Sequence, residues 1–171
     1  MFLDSSNCLS EHLKVLQWLD SLNAMLKEAK WSMNKSESTM EEYMENAYVS
    51  FAMGPIVLSA LYLVGPKLSE DAVRSSEYYH LFRLMSTIGR LFNDMQGNRE
   101  AAEGKINSVT LAMIHCNGSI REEEVIDEMK RIITSKRREL QGLVLQEKDS
   151  VIPRCCTYLM KVMMDTPRTT L

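Results

Sequence analysis

Arg90, Asn93, Gly97 and Glu100 recur at three- and four-residue intervals, the beat of one helical face. At about 100° per residue, Asn93, Gly97 and Glu100 fall within about 60° of arc. An amide oxygen, a gap for water and a carboxylate form a set of hard oxygen donors. Such a set suits a divalent cation like Mg2+, which prefers oxygen and keeps part of its hydration shell. Arg90, one turn earlier on the same side, could hold a phosphate oxygen that bridges to that metal. An Asn-Asp pair followed by Glu is also an ordinary solvated helix face, and spacing alone leaves both readings open.

Other groups carry less. The acidic run Glu41, Glu42 and Glu45 sits at a helix start and reads as a turn that complements the helix dipole. Lys130, Arg131, Lys136, Arg137 and Arg138 are interleaved with Asp127, Glu128 and Glu139 and with no aromatics. They read as a solvated helix face and not as a nucleic-acid surface. His12, His80 and His115 have no partner at ligand spacing. The four cysteines, Cys8, Cys116, Cys155 and Cys156, form no C-x-x-C, which points to reduced thiols.

The elements that must position these residues are helices. Strand-type alternation is almost absent, and helical periodicity runs nearly throughout. Val15, Leu19, Leu22, Leu26 and Ala29 form a first stripe. Thr39 and Glu42 have capping-box spacing for a second helix, predicted to break at Gly54-Pro55 because proline clashes with the preceding turn. An apolar helix over 56–64 should end at Gly65-Pro66. From Ser69 a long helix is predicted to reach Glu103-Gly104, carrying Arg90, Asn93 and Glu100 on one face. Asn107 should cap a short helix that ends at Asn117-Gly118. Ser119 with Glu122 has the spacing of a second capping box, and Pro153 suits the first turn of a last helix.

With 45% hydrophobic and 25% charged residues, the 171-residue chain has the balance of a globular protein and not of a disordered one, and the helical periodicity makes the expected fold all-α. A formal net charge of −3 calls for neither nucleic acid nor an anionic membrane. The longest apolar run, residues 56–64, is too short to span a bilayer. No secretory signal is visible at the N-terminus, and residues 1–10 lack the arginines of a transit peptide.

Residues 39–58, beginning Thr39-Met40-Glu41-Glu42-Tyr43 and containing Gly54-Pro55-Ile56, resemble the broken substrate-lining helix of plant terpene synthases. Residues 61–70 continue that likeness. Arg90-Leu91-Phe92-Asn93-Asp94 with Glu103-Gly104-Lys105-Ile106-Asn107-Ser108 resembles the family's second metal motif and its downstream loop. Within the family these forms look most like ent-kaurene synthases. The resemblance spans about residues 13–164. It implies that residues 1–171 are a single partial domain, the C-terminal portion of a class I terpene synthase metal-binding helical bundle. It further implies Mg2+ as cofactor, a prenyl diphosphate such as ent-copalyl diphosphate as substrate, and plastid location. Ionisation of the diphosphate and cyclisation to an ent-kaurene-type diterpene would be the reaction. By resemblance Asn93, Gly97 and Glu100 would be metal ligands, Arg90 would bind the diphosphate, and Ile56 would face the cation.

The chain departs from the family pattern in three ways. It contains no Asp-Asp pair, so the Asp-rich first metal motif is missing. The glutamate expected eight residues after Asn93 is replaced by Ala101, with Glu100 one place earlier. The middle ligand position carries Gly97 and no hydroxyl. The alternative reading is therefore a non-catalytic helical protein derived from a terpene synthase. If the preceding helices are absent, the faces of residues 49–64 and 81–92 are expected to meet water or a partner.

Overall fold

The computed structural model describes residues 5–34, 38–64, 68–97, 106–145 and 150–165. Among these described residues eight helices follow one another: α1 (Ser5–Asn34), α2 (Met40–Ser50), α3 (Met53–Val64), α4 (Glu70–Val73), α5 (Ser76–Gln96), α6 (Ser108–His115), α7 (Glu122–Leu145) and α8 (Arg154–Asp165). No strand occurs among the described residues.

Local chemistry sets most of the helix starts. Thr39 Oγ1 accepts from the Glu42 amide at 3.1 Å, and the Glu42 carboxylate accepts from the Thr39 amide at 3.0 Å. This is the predicted capping box, and it satisfies two of the amides a helix start leaves orphaned. Asn107 caps α6 by accepting from the Thr110 amide at 2.8 Å. That helix ends at His115, and just beyond it Asn117 and Gly118 both take positive φ, which lets the chain reverse.

Three predicted boundaries shift. The break expected at Gly54-Pro55 lies earlier, at Phe51–Ala52, where Ala52 takes a φ of 57°. Pro55 sits in the first turn of α3, where its missing N–H costs nothing and its ring no longer meets a helical carbonyl behind it. The long helix expected from Glu70 is divided: α4 stops at Val73, and Ser75 caps α5 by accepting from the Tyr78 amide at 3.1 Å. A serine hydroxyl that competes for a backbone amide favours a new helix start over continuation. At its other end α5 stops at Gln96 with Gly97 as cap, while residues 98–105 lie outside the described residues. Ser119 does not cap α7; its hydroxyl donates to the Cys116 carbonyl, and Glu124 folds back onto the Arg121 amide at 3.0 Å.

Helix α5 is the axis of the assembly and packs against α2, α3, α6, α7 and α8. Its Leu81, Leu84, Met85, Ile88, Leu91 and Met95 recur every three or four residues and are all buried. They meet Val57 and Leu58 of α3 and Val125, Met129, Ile133 and Leu140 of α7. Each such side chain contributes about 1.5–3 kcal/mol by leaving water. The α5 face expected to be open is therefore largely covered from within the chain, while on α3 Ile56 and Leu63 remain 47% and 83% exposed, as expected. A further open apolar face belongs to α1. Val15, Leu19, Leu22 and Leu26 are each about half exposed, while Ser21 and Ala24 turn inward.

Candidate functional site

Two phenylalanines hold the α2–α3 break against α5. A Cβ added to Gly54 would stand 2.6 Å from Phe82 Cε2, and one added to Gly89 would stand 2.3 Å from Phe51 Cε1. Each glycine is thus the floor on which a ring from the facing segment rests, so the two backbones approach more closely than any larger residue permits. The break leaves Ile56, one turn into α3, 47% exposed while its neighbours Val57 and Leu58 are buried.

Below this contact, α5 divides its polar residues between two directions. Asp94 is 2% exposed and accepts three hydrogen bonds: Tyr43 Oη at 2.8 Å, Arg90 Nε at 2.8 Å and the Ser108 amide at 3.0 Å. It therefore ties α5 to α2 and to the first residue of α6. Arg90, one turn earlier, also reaches Glu28 of α1 at 3.3 Å and Ser50 Oγ at 3.2 Å. Its guanidinium lies 5.2 Å from the Tyr43 ring centroid. Burial works against the arginine's charge, but Asp94, Tyr43 and Glu28 more than offset it, and the group is held protonated more firmly than usual. Burial first, and then the charge of Asp94, pushes the Tyr43 phenol well above its ordinary range. Four helices meet in this network of charged and neutral groups, where losing one partner costs far more than at a surface.

Asn93 points the other way and is exposed. Gly97, one turn on, has nothing within 4 Å of the place a Cβ would occupy. One amide oxygen next to open space, room enough for water or a hydroxyl, suits a hard cation that keeps waters. Glu100 lies outside the described residues, so its place relative to Asn93 is not part of this geometry. No group of three or more His, Cys, Asp or Glu side chains able to hold a metal occurs among the described residues.

The structure thus brings Asn93 and Gly97 onto one open face. It places Arg90 inward, among Asp94, Tyr43, Glu28 and Ser50, and Ile56 on the exposed side of the helix break. Tyr43, Glu28 and Ser50 were not singled out from sequence. The i, i+4 spacing of Arg90 and Asp94 was a readable sign of their ion pair, but Tyr43 stands 51 residues from Asp94 and carries no local mark of the contact. Two sizeable clefts lie nearby. One of about 740 Å3 runs between α1, α2 and α5 past Asp20, Asn46 and Tyr48. Another of about 560 Å3 is walled by Met40, Met44, Leu91 and Met129.

Most basic residues of α7 lie on a solvated face as the sequence suggests, but Arg137 is half-buried, its guanidinium 4.9 Å from the Phe92 ring centroid. Arg131 pairs with Glu128 at 2.8 Å, and Lys136 with Glu139 at 3.0 Å. No described helix is long and apolar enough to cross a membrane.

Residues 3–139 match the terpene synthase family, metal binding domain. The chain is 52% identical over 153 residues to an ent-13-epi-manoyl oxide synthase of Salvia miltiorrhiza, covering 89% of this chain and 19% of that protein. It is 55% identical over 143 residues to an ent-kaurene synthase of Vitex agnus-castus, covering 83% of this chain and 18% of the relative. Both relatives are named as chloroplastic. Among solved structures, abietadiene synthase from Abies grandis superposes with a TM-score of 0.77 at 28% identity, covering 90% of this chain and 20% of that one. Isoprene synthase from grey poplar, solved with three Mg2+ ions and dimethylallyl-S-thiolodiphosphate, gives 0.75 at 26% identity, covering 86% and 28%. The chain spans about a fifth of the length of the curated relatives it matches. Its helical fold is that of the class I terpene synthases, and the chain belongs to the terpene synthase family, within the metal binding domain.

Proposed function

We propose that the chain supplies one metal-binding face and part of the apolar wall of a plastid diterpene cyclase, which converts a bicyclic prenyl diphosphate of the ent-copalyl type to an ent-kaurene-type diterpene. In this reading residues 1–171 are one portion of a larger helical domain. The observation that carries it is the division of labour on α5: Asn93 faces outward beside the open position at Gly97, while Asp94 faces inward and braces the helix. Asn93, water beside Gly97, and Glu100 would hold Mg2+. The cation would supply charge neutralisation for a departing diphosphate.

The remaining roles belong to the chain's own side chains. Arg90 would offer a guanidinium to a diphosphate oxygen by exchanging its 3.3 Å contact with Glu28. Its Asp94 bond keeps it in place meanwhile. Ile56 would present an aliphatic surface that holds no nucleophile for a carbocation to capture. Phe51 and Phe82, locked on Gly89 and Gly54, would keep the segment carrying Ile56 rigid. The names of the relatives, which include ent-kaurene synthases of Vitex and of Stevia rebaudiana, support the substrate class.

The absence of an Asp-Asp pair bears on catalysis by the chain alone. Incubated with ent-copalyl diphosphate and Mg2+, the isolated chain is expected to form no hydrocarbon. The decisive test is a chimera in which this chain replaces the matching segment of the Vitex ent-kaurene synthase. Diterpene in the extract, lost on Asn93→Ala, supports the reading. A folded chimera that binds Mg2+ without turnover would favour a non-catalytic protein derived from a terpene synthase.

A further inference from the structure

Arg90 has no N–H to spare. A guanidinium carries its N–H groups in a rigid fork, and here Nε donates to Asp94 at 2.8 Å and Nη2 to the Tyr43 hydroxyl at 2.5 Å. Nη1 donates to Ser50 Oγ at 3.2 Å. The remaining corner, between Nη1 and Nη2, faces the Glu28 carboxylate. Any anion that reaches Arg90 must therefore displace an acceptor, and the distances say which one gives way.

The two carboxylates are held differently. Asp94 stands at 2.8 Å, the length of a charge-assisted bond, and is fixed from behind by Tyr43 and the Ser108 amide. Glu28 reaches the fork at 3.3 Å on each of three contacts, just beyond the usual N–H···O range of about 2.7–3.2 Å. Its closer contact lies elsewhere: Ser50 Oγ donates to Glu28 Oε1 at 2.5 Å. Asn46, anchored on the Ala24 carbonyl at 2.9 Å, brings its amide within 3.4 Å of the same oxygen. A Glu28 carboxylate that let go of Arg90 would keep these donors and would not be left unpaired.

We propose that Glu28 is the resident counterion of Arg90: it occupies the place at the Nη1–Nη2 fork that a diphosphate oxygen takes, and yields that place by turning back to Ser50 and Asn46. The role rests on Arg90 meeting a diphosphate, as proposed for it above. Nη1 and Nη2 together are the pair that grips a carboxylate or a phosphate with two parallel bonds, so the two anions compete for one position. Glu28 is a positioning residue. It keeps the fork extended toward α1 while the anion is absent, and the short Asp94 bond keeps the Nε edge in place during the exchange. The guanidinium thus has one fixed edge and one exchangeable edge.

Nuclear magnetic resonance on the 171-residue chain, labelled with 15N at arginine and titrated with inorganic diphosphate and Mg2+, tests it. Arg90 is identified through the Tyr43 ring, whose centroid lies 5.2 Å from its guanidinium. Its Nη resonances are expected to move and its Nε resonance to stay. In calorimetry Glu28→Gln, which keeps the size and removes the charge, is expected to tighten diphosphate binding about tenfold by taking away a like charge beside the anion. Glu45→Gln removes the same charge from the pair with Arg83 and is expected to change binding less than about twofold. The resonance measurement uses the unaltered chain, so it decides even where Glu28→Gln fails to fold. Nε moving together with Nη, neither moving, or equal effects of the two glutamine variants would overturn the proposal. Turnover by the chimera is a separate readout. Exchange at the Nη edge in a chain whose chimera forms no diterpene would sink the catalytic reading and leave the role of Glu28 standing.

Discussion

Tyr43 of α2 donates its phenolic hydrogen to Asp94 of α5 at 2.8 Å, across 51 residues of sequence. The same phenol oxygen accepts from Arg90 Nε at 3.0 Å. One hydroxyl therefore links both members of the α5 ion pair to α2, and Asp94 carries the link on to the Ser108 amide. The open face at Asn93 rests on this buried knot one residue away.

Removing parts of the knot should be expensive in proportion to what is left unpaired. Tyr43→Phe removes a donor to Asp94 and an acceptor for Arg90, and is expected to destabilise by about 1–3 kcal/mol. Asp94→Ala leaves a buried guanidinium with the more distant Glu28 carboxylate and the neutral Tyr43 and Ser50 hydroxyls, and is expected to cost about 3–5 kcal/mol. In a urea-unfolding double-mutant cycle the two should couple by about 0.5–3 kcal/mol. Strict additivity would mean that the phenol and the carboxylate act separately.

Gly54 and Gly89 make a steric prediction. Alanine at either place puts a methyl inside the contact distance of a phenyl ring, 2.6 Å from Phe82 or 2.3 Å from Phe51. Each is expected to cost about 1–3 kcal/mol through overpacking. Trimming the facing ring, Phe82→Leu for Gly54→Ala and Phe51→Leu for Gly89→Ala, should recover part of that loss. Thermal melts of the four single and two double variants measure it.

Gly97 offers room to test the proposed metal site. Its φ of −78° suits any residue, and open space surrounds the place of a Cβ. Gly97→Ser adds a hydroxyl one turn from Asn93. It is expected to tighten Mn2+ binding about tenfold, or about 1.4 kcal/mol, as read by electron paramagnetic resonance. Asn93→Ala should weaken binding in the same assay. A Gly97→Ser protein with unchanged affinity would separate Gly97 from any metal site.

Alkaline stability follows from the buried phenols. Burial pushes Tyr78 up to about 12, and Tyr43 and Tyr48 move upward as well, chiefly by burial. A raised folded-state value means that the folded chain holds these protons more tightly than the unfolded chain. Their contribution is full below the ordinary phenol value of about 10 and declines as pH rises beyond it. Of the six tyrosines, these three should ionise only as helix content falls. Tyrosinate absorbance followed together with circular dichroism checks the coincidence, and Tyr78→Phe should move the helix loss to higher pH.

The amino-acid sequence by itself determined what depends on neighbours a few residues away. Thr39 and Glu42 make their capping box, Asn107 caps α6 and Asn117-Gly118 reverses the chain, because each needs only side-chain reach within one turn. The periodicity of Leu81, Leu84, Met85 and Ile88 marked α5 as a core helix for the same reason. Tertiary structure decided what depends on who packs where. The apolar stripe of α1 announced an amphipathic helix, but only the packing of Ser21 and Ala24 against the chain turned that stripe outward. Gly54-Pro55 announced a break, yet its position at Phe51–Ala52 was settled by two rings seated on two glycines from different helices. Asn93 and Asp94 are adjacent and alike in size. The carboxylate went inward because Tyr43, Arg90 and the Ser108 amide converge on it, and the amide was left facing water. Burying a charged group is tolerable only where such partners already wait, and partners drawn from three helices are not a local property of the chain.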